Sequence, residues 1–464
     1  MATAPDATSF SNFAPIGTEY DLPALRVTGE LPKGLAGTLF RNGPNPQFPP
    51  LDPLRDHWFA GDGMVHAFTI ADGTASYRNR WVRTDRWLAE HAAGRALVAG
   101  FGGPELAEHG IANTGVANTN VVWHAGRLLA LEEGHLPFEL DPATLTTRGV
   151  RDFGTLHDPF TAHPKTDPLT GDLIFFGCYA GGAFSPTMTC GVLGADGRVK
   201  RLERFEAPYC AMVHDFAVTE RHIVFPVMPL TGSMARAMAG ESPFAWEPDL
   251  GTHIGVMERA QGVASLRWFR AENCFVFHVM NAWDQDGRIM LDVMQYAAAP
   301  LFPRADGRET PPADTNATLM RWTLDPAAGT DAFTRAPLDD MCGEFPRLDE
   351  RRTSLPNRYG LFVGGSRDGA GLDTIVWHDF TARRRSAFTV PSGDSASEAV
   401  FVPRSPSAPE GDGWLLSVAW RAQDQRSDLV ILDTQAVADG PVATVHLPHR
   451  VPFGFHGNWV DAGR

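Results

Sequence analysis

No stretch of the chain approaches the roughly 18 to 20 consecutive apolar residues of a membrane-spanning helix, which argues against a helical membrane protein. The opening residues, Met-Ala-Thr-Ala-Pro-Asp-Ala-Thr-Ser-Phe, lack the basic region and apolar core of a secretory signal. Cysteine is scarce. The five residues Cys178, Cys190, Cys210, Cys274 and Cys342 are odd in number and form no CxxC pair. That excludes a disulfide framework and a zinc-thiolate site, fits a reducing compartment, and leads us to expect a cytoplasmic protein. Basic charge is also short: 40 Lys and Arg face 55 Asp and Glu, a net charge of −15. Nucleic-acid faces are usually basic, so a nucleic-acid partner is not expected. There is no Gly-x-Gly-x-x-Gly and no phosphate loop, which removes support for a nicotinamide or other nucleotide cofactor. A Gly-x-Ser-x-Gly elbow is missing too, and with it the serine-hydrolase reading. Helical pattern is confined to 85–99 and 231–239, with no strand–helix alternation.

Turns are what the chain has in excess. Its 46 glycines and 36 prolines make up about 18% of the residues, against about 12% in average usage. Asp72-Gly73, His124-Ala-Gly-Arg127, Asp167-Pro-Leu-Thr-Gly171, Ala195-Asp-Gly-Arg198 and Asp284-Gln-Asp-Gly287 each lie between β-prone apolar segments. Asp-Gly and related pairs supply the positive φ of tight hairpins, so strand–turn–strand is the repeating unit. Residues 305–314 and 403–413 read as surface loops, and no linker divides the chain. One large all-β body spanning 1–464 follows, most simply a propeller, with 1–20 as a flexible N-terminal segment.

Among 16 histidines, four have strongly patterned surroundings: His163, His214, His278 and His456. The last three follow apolar or aromatic residues, as where a strand end enters an interior. Successive separations of 51, 64 and 178 residues place them on different strands. Taken singly, such a histidine is usually a hydrogen-bonded core residue. Brought together on a propeller axis, four of them would bind a divalent ion without a carboxylate ligand. His57, His66, His91, His109, His124 and His135 have no nameable partner and are assigned to surface or loop roles. Asp215 and Asn281 read as residues that secure turns.

Seven segments occur in one order from about residue 20 onward: Phe40-Arg-Asn-Gly-Pro-Asn-Pro46, Trp58-Phe-Ala-Gly-Asp-Gly-Met-Val-His66, Ala162-His-Pro-Lys-Thr-Asp-Pro168, Val213-His-Asp-Phe216, Phe277-His-Val-Met-Asn-Ala282, Glu344-Phe-Pro-Arg347 and Phe455-His-Gly457. In these the chain resembles the carotenoid cleavage oxygenases. The resemblance implies a seven-bladed β-propeller, with a small cap of loops and short helices over Fe(II) held by His163, His214, His278 and His456. It also implies three glutamates behind the ligands, matched by Glu133, Glu344 and Glu398. A carboxylate on the distal N–H would fix the tautomer and raise ligand basicity. Glu132 competes for the first position; spacing to Pro137 and Pro142 favours Glu133. Without the resemblance, all of these glutamates would read as solvated surface charge.

The implied reaction is oxidative cleavage of a conjugated carbon–carbon double bond by O2, giving two carbonyl products. Phe205-Glu-Ala-Pro-Tyr209, Trp246-Glu-Pro-Asp249, His253-Ile-Gly-Val-Met257 and Asn357-Arg-Tyr-Gly360 are most similar to bacterial members that cleave stilbenes and phenylpropenoids and release vanillin-type aldehydes. The expected partners are therefore O2 and a small hydrophobic aryl alkene of the stilbene, isoeugenol or 4-vinylguaiacol type. Phe59, Phe101, Thr119 and Glu132 are assigned to the substrate and O2 pocket. One departure stands out. Lignostilbene-cleaving relatives recognise the phenol through a tyrosine and a lysine, where this chain has Phe101 and Glu132. An apocarotenoid-cleaving dioxygenase is the alternative of the same class, and a propeller serving as a binding module the alternative of another.

Overall fold

The computed structural model describes residues 12–53, 56–101, 109–111, 113–365 and 371–463. Paired positive φ values mark the expected hairpin turns: 50° and 71° at Asp72-Gly73, 50° and 75° at Ala125-Gly126, 50° and 77° at Asp286-Gly287. These are the left-handed pairs of a type I′ turn, whose twist matches that of the strands it joins. Successive hairpins thus build antiparallel meanders, and the meanders become the blades.

Three blades are four-stranded sheets, running from Asn120–His124 to Thr147–Val150, from Lys165–Thr166 to Val199–Glu206, and from Ala217–Val218 to Arg267–Ala271. The next two are fused into one seven-stranded sheet from Phe275–Gln285 to Arg384–Thr389. Their junction is the long strand Thr334–Arg347, which pairs through Thr334–Cys342 with one neighbour and through Cys342–Arg347 with the other. The sixth blade, built on Ser395–Pro403, is completed at its rim by Arg26–Gly29. In the seventh, Gly457–Asp461 is innermost and pairs with Gly37–Pro44. Chain segments from both ends therefore close the ring, giving the seven-bladed propeller.

Inner-strand starts and the loops before them gather on one face. The helices there are shorter than the sequence pattern indicates. Asp85–Ala93 is capped by the Thr84 side chain and stopped by Gly94 at φ 67°. A second helix covers only Met234–Met238. Residues 1–11 lie outside the described residues, but 12–20 are held, contrary to the expected flexibility. Asn12 is buried and donates to the Val451 carbonyl, the Ile16 amide donates to Asn45, and the Tyr20 amide donates to Asn79. Two histidines assigned to the surface also prove buried. His66 bonds the Tyr77 hydroxyl and His124 the Gly194 carbonyl, both satisfied within the interblade core.

Candidate metal centre

Each of the four patterned histidines lies at the axial end of a different blade. His163 precedes the strand Lys165–Thr166, His214 precedes Ala217–Val218, His278 sits in Phe275–Gln285, and His456 directly precedes Gly457–Asp461. Pairing register slips at three site positions: around His278 (Val276/Val279), at Glu344 (Glu344/Arg347) and around Glu398 (Ala396/Ala399). A bulge breaks the two-residue alternation and re-aims a side chain, here towards the axis. Phe345, beside Glu344, is held at φ 56°, unusual for a bulky residue. Its ring lies 5.4 Å from those of both His278 and His456.

All four imidazoles are buried, and one ring nitrogen from each falls within 4.8 Å of the others. The Nε2 atoms of His163 and His214 are 3.0 Å apart; those of His214 and His278, and of His278 and His456, are 3.1 Å apart. Behind the rings stand carboxylates. The Nδ1 of His278 donates to Glu344 at 2.5 Å, that of His456 to Glu398 at 2.8 Å, and that of His214 meets Glu133. A ring whose Nδ1 is protonated presents a lone pair at Nε2. Several converging lone pairs repel unless a cation lies between them, so the donor set suits a metal ion.

Electrostatics agree. Burial pushes His163 well below the usual histidine range, with the neighbouring imidazoles and Lys165 adding to the effect. Burial likewise brings His456 down to about 4 against the pull of Glu398. His278 moves the other way: burial would lower it, but Glu344, joined by Asp215 and Glu398, raises it. Burial would lift the Glu398 carboxyl, but Arg347 and His456 hold it down at about 2.

Two members of this network have roles that the sequence read alone does not assign. Arg347 reaches Glu398 at 3.0 Å, and the Tyr296 hydroxyl donates to Glu344 at 2.8 Å. Tyr296 gets there by pairing opposite Phe275 across a hairpin, a register that only the folded sheet reveals. Asp215 and Asn281 do secure backbone. Asp215 accepts from the Val279 amide and pairs with Lys165, and Asn281 donates to the Arg352 and Leu355 carbonyls.

The centre lies in the wall of a cavity of about 1330 Å³ whose lining includes Phe59, Phe101, Thr119 and Glu132. Phe59 packs edge-on against Phe277 and Phe455, while Phe101 stands at the partly exposed rim against His57 and Phe244. His57 and His135 are thus not idle surface residues. His57 stacks on Phe302, and burial drives it down to about 4. Thr119 is tied in place: its hydroxyl donates to Asn118 and its carbonyl accepts from the His456 amide. Glu132 does not approach the imidazole cluster but pairs with His135, whose other nitrogen bonds the Thr114 hydroxyl at 3.1 Å. This makes a polar corner in an otherwise largely apolar cavity.

Comparison with known proteins agrees with this architecture. The model of the retinal pigment epithelial membrane protein family matches residues 13–461. The chain is 39% identical to isoeugenol monooxygenase of Pseudomonas nitroreducens, over 96% of each sequence. Its structure is similar to that of Pseudomonas brassicacearum lignostilbene dioxygenase, with a TM-score of 0.93 and 35% identity over 99% of both chains. It also resembles cobalt-substituted Synechocystis apocarotenoid oxygenase, with a TM-score of 0.87 and 31% identity over 97% of this chain and 98% of that one.

Proposed function

This chain belongs to the family of the retinal pigment epithelial membrane protein and the carotenoid cleavage oxygenases, and on that premise we propose that it is a non-heme Fe(II) oxygenase cleaving the conjugated double bond of an aryl alkene. The observation that carries the reading is the convergence of four buried imidazoles beside a cavity walled by aromatic side chains. The Nε2 separations of 3.0 and 3.1 Å are short enough for one ion to be held by all four rings. Imidazole suits both iron and zinc, so it is the likeness to oxygenases, not ligand type, that favours iron. Anaerobic nitric oxide titration separates the two, since zinc gives no paramagnetic nitrosyl.

His163, His214, His278 and His456 would hold the ion, with Glu133, Glu344 and Glu398 fixing three of the rings. When bound, iron supplies the binding and activation of O2. The chain's own residues do the rest. Phe59, Phe277 and Phe455 exclude water from the alkene, Thr119 narrows the space beside His456, and the Glu132–His135 pair accepts the hydroxyl of a phenolic ring. One O2 adds across R–CH=CH–R′ to give RCHO and R′CHO, so no external reductant is consumed. In 18O2 each aldehyde will carry one labelled oxygen before exchange with solvent, without NADH. Label in one fragment alone would overturn dioxygenation.

The phenol contact is separately testable. Replacing Glu132 with alanine removes a charged acceptor, a contact worth about 1.5 kcal/mol or more. We expect kcat/KM for a 4-hydroxylated alkene to fall about tenfold while its 4-methoxy analogue is little changed. Equal losses for both would place the phenol elsewhere. The cavity volume also accommodates a longer substrate, so apocarotenoid cleavage is the second reading. Iron-loaded protein that cleaves an apocarotenal but leaves isoeugenol, 4-vinylguaiacol and a stilbene untouched would establish it.

A further inference from the structure

Glu344 and Glu398 stand behind neighbouring imidazoles, but the chain braces them differently. Beyond His456, Glu398 takes the Gly457 amide and the Arg347 guanidinium, the latter at 3.0 Å. Among the described residues no arginine or lysine pairs with Glu344. Its Oε2 accepts from the His278 Nδ1 at 2.5 Å and from the Phe345 amide at 2.7 Å. Its Oε1 accepts from the Tyr296 hydroxyl at 2.8 Å. A hydrogen bond from a charged donor is roughly twice as strong as one from a neutral donor, and draws more charge from the carboxylate. Glu398 is thereby left the weaker acceptor behind its ring. The ring-to-carboxylate distances follow that order, 2.8 Å for His456 and 2.5 Å for His278.

Tyr296 is the neutral brace, and the sheet delivers it. It pairs opposite Phe275 in the hairpin that carries His278, and its ring stands perpendicular to that of Phe277, centroids 6.0 Å apart. The residue also lines the cavity beside the imidazoles. Burial, reinforced by Glu344, pushes the phenol well above its ordinary range, so it remains a neutral donor near neutral pH.

Hydrogen bonds in series polarise one another. A donor on Oε1 reduces the negative charge that Oε2 offers to the His278 N–H, and with it the basicity of the ring towards a metal. We infer that Tyr296 is a positioning residue for the metal centre, acting through Glu344. Its hydroxyl holds the carboxylate behind His278 and limits the electron density that this ring gives the ion. A ferrous ion is then harder to oxidise than it would be without the phenol. The inference rests on the proposed iron centre, but not on which alkene is cleaved.

Tyr296→Phe keeps the ring and loses the donor. Iron-loaded wild type and variant are poised with redox mediators under nitrogen, each ferrous ion giving one electron to the mediator, and the ferric ion is read by electron paramagnetic resonance. At the same poise the variant should show a ferric-to-ferrous ratio about threefold higher, less than the loss of a direct partner of the ring would cause. In a Glu344→Gln background at saturating ferrous iron, the same substitution should shift the ratio little, because the route runs through the carboxylate. 3-Fluorotyrosine placed at position 296 is a stronger donor of nearly the same shape and should move the ratio the opposite way. It serves as the test should Tyr296→Phe fail to fold. An unchanged ratio in folded, iron-loaded Tyr296→Phe overturns the inference. So does an equal shift in the Glu344→Gln background, which would mean a route outside the carboxylate. Either result with iron retained and alkene cleaved leaves the proposed function standing, whereas wild-type protein that retains no iron overturns both.

Discussion

His278→Ala protein, purified under nitrogen and loaded with ferrous iron, should carry no retained metal after gel filtration, with alkene cleavage at background. His278 is one of the two inner members of the chain of short contacts, with Nε2 atoms at 3.1 Å on both sides. Its loss opens the middle of the donor set, and metal affinity depends on a preformed site of full count. His163→Ala should behave alike. A graded comparison comes from Glu344→Gln, which keeps the volume but weakens the acceptor behind His278. Loss of such a partner typically costs about 10- to 100-fold in metal affinity or activity. Iron per chain by mass spectrometry, with circular dichroism to confirm folding, decides the matter. Stoichiometric iron or full activity in either alanine variant would sink the ligand assignment.

The second large effect concerns stability as well as metal. Glu398 is buried, and both its oxygens are engaged, by His456, the Gly457 amide and Arg347. In Glu398→Ala the Arg347 guanidinium keeps Glu350 and the Gly457 carbonyl but loses its buried countercharge. Breaking a buried ion pair by removing one member costs about 3–5 kcal/mol. We expect a loss in that range by denaturant unfolding, together with weakened iron retention. The double variant Glu398→Ala/Arg347→Met should be less unstable than the sum of its single variants, because the stranded charge is gone. Its iron retention should stay as poor as in Glu398→Ala, since His456 has still lost its partner. Simple additivity in stability would mean that the pair is not coupled.

These two sites also mark how far the residues could be read without coordinates. Asp-Gly spacing made the hairpins legible because an I′ turn depends on two adjacent residues. The four histidines stood out for a similar local reason, each set in an apolar or motif-bound segment. Arg347 and Tyr296 were different. Their partners lie 51 and 48 residues away, and a bulge or a hairpin register decides whether they meet. The helix over 85–99 was over-extended because its stop at Gly94 depends on a left-handed residue that periodicity does not weigh. His66 and His124 were misplaced for the converse reason: hydrogen bonds to Tyr77 and Gly194 let polar rings sit in the core.

Closure of the seventh blade has a consequence for biogenesis. The strand Gly457–Asp461 that seals the ring begins immediately after His456. During synthesis, at roughly 5–20 residues per second, the earlier blades emerge well before that strand does. A nascent chain can thus assemble the positions of His163, His214 and His278 yet lack the fourth donor until the ring closes. Retention of the metal by the full donor set therefore waits on ring closure. An ion captured earlier, on three histidines, would be held in a site still open on its fourth side and free to exchange, so the finished chain can still select its metal.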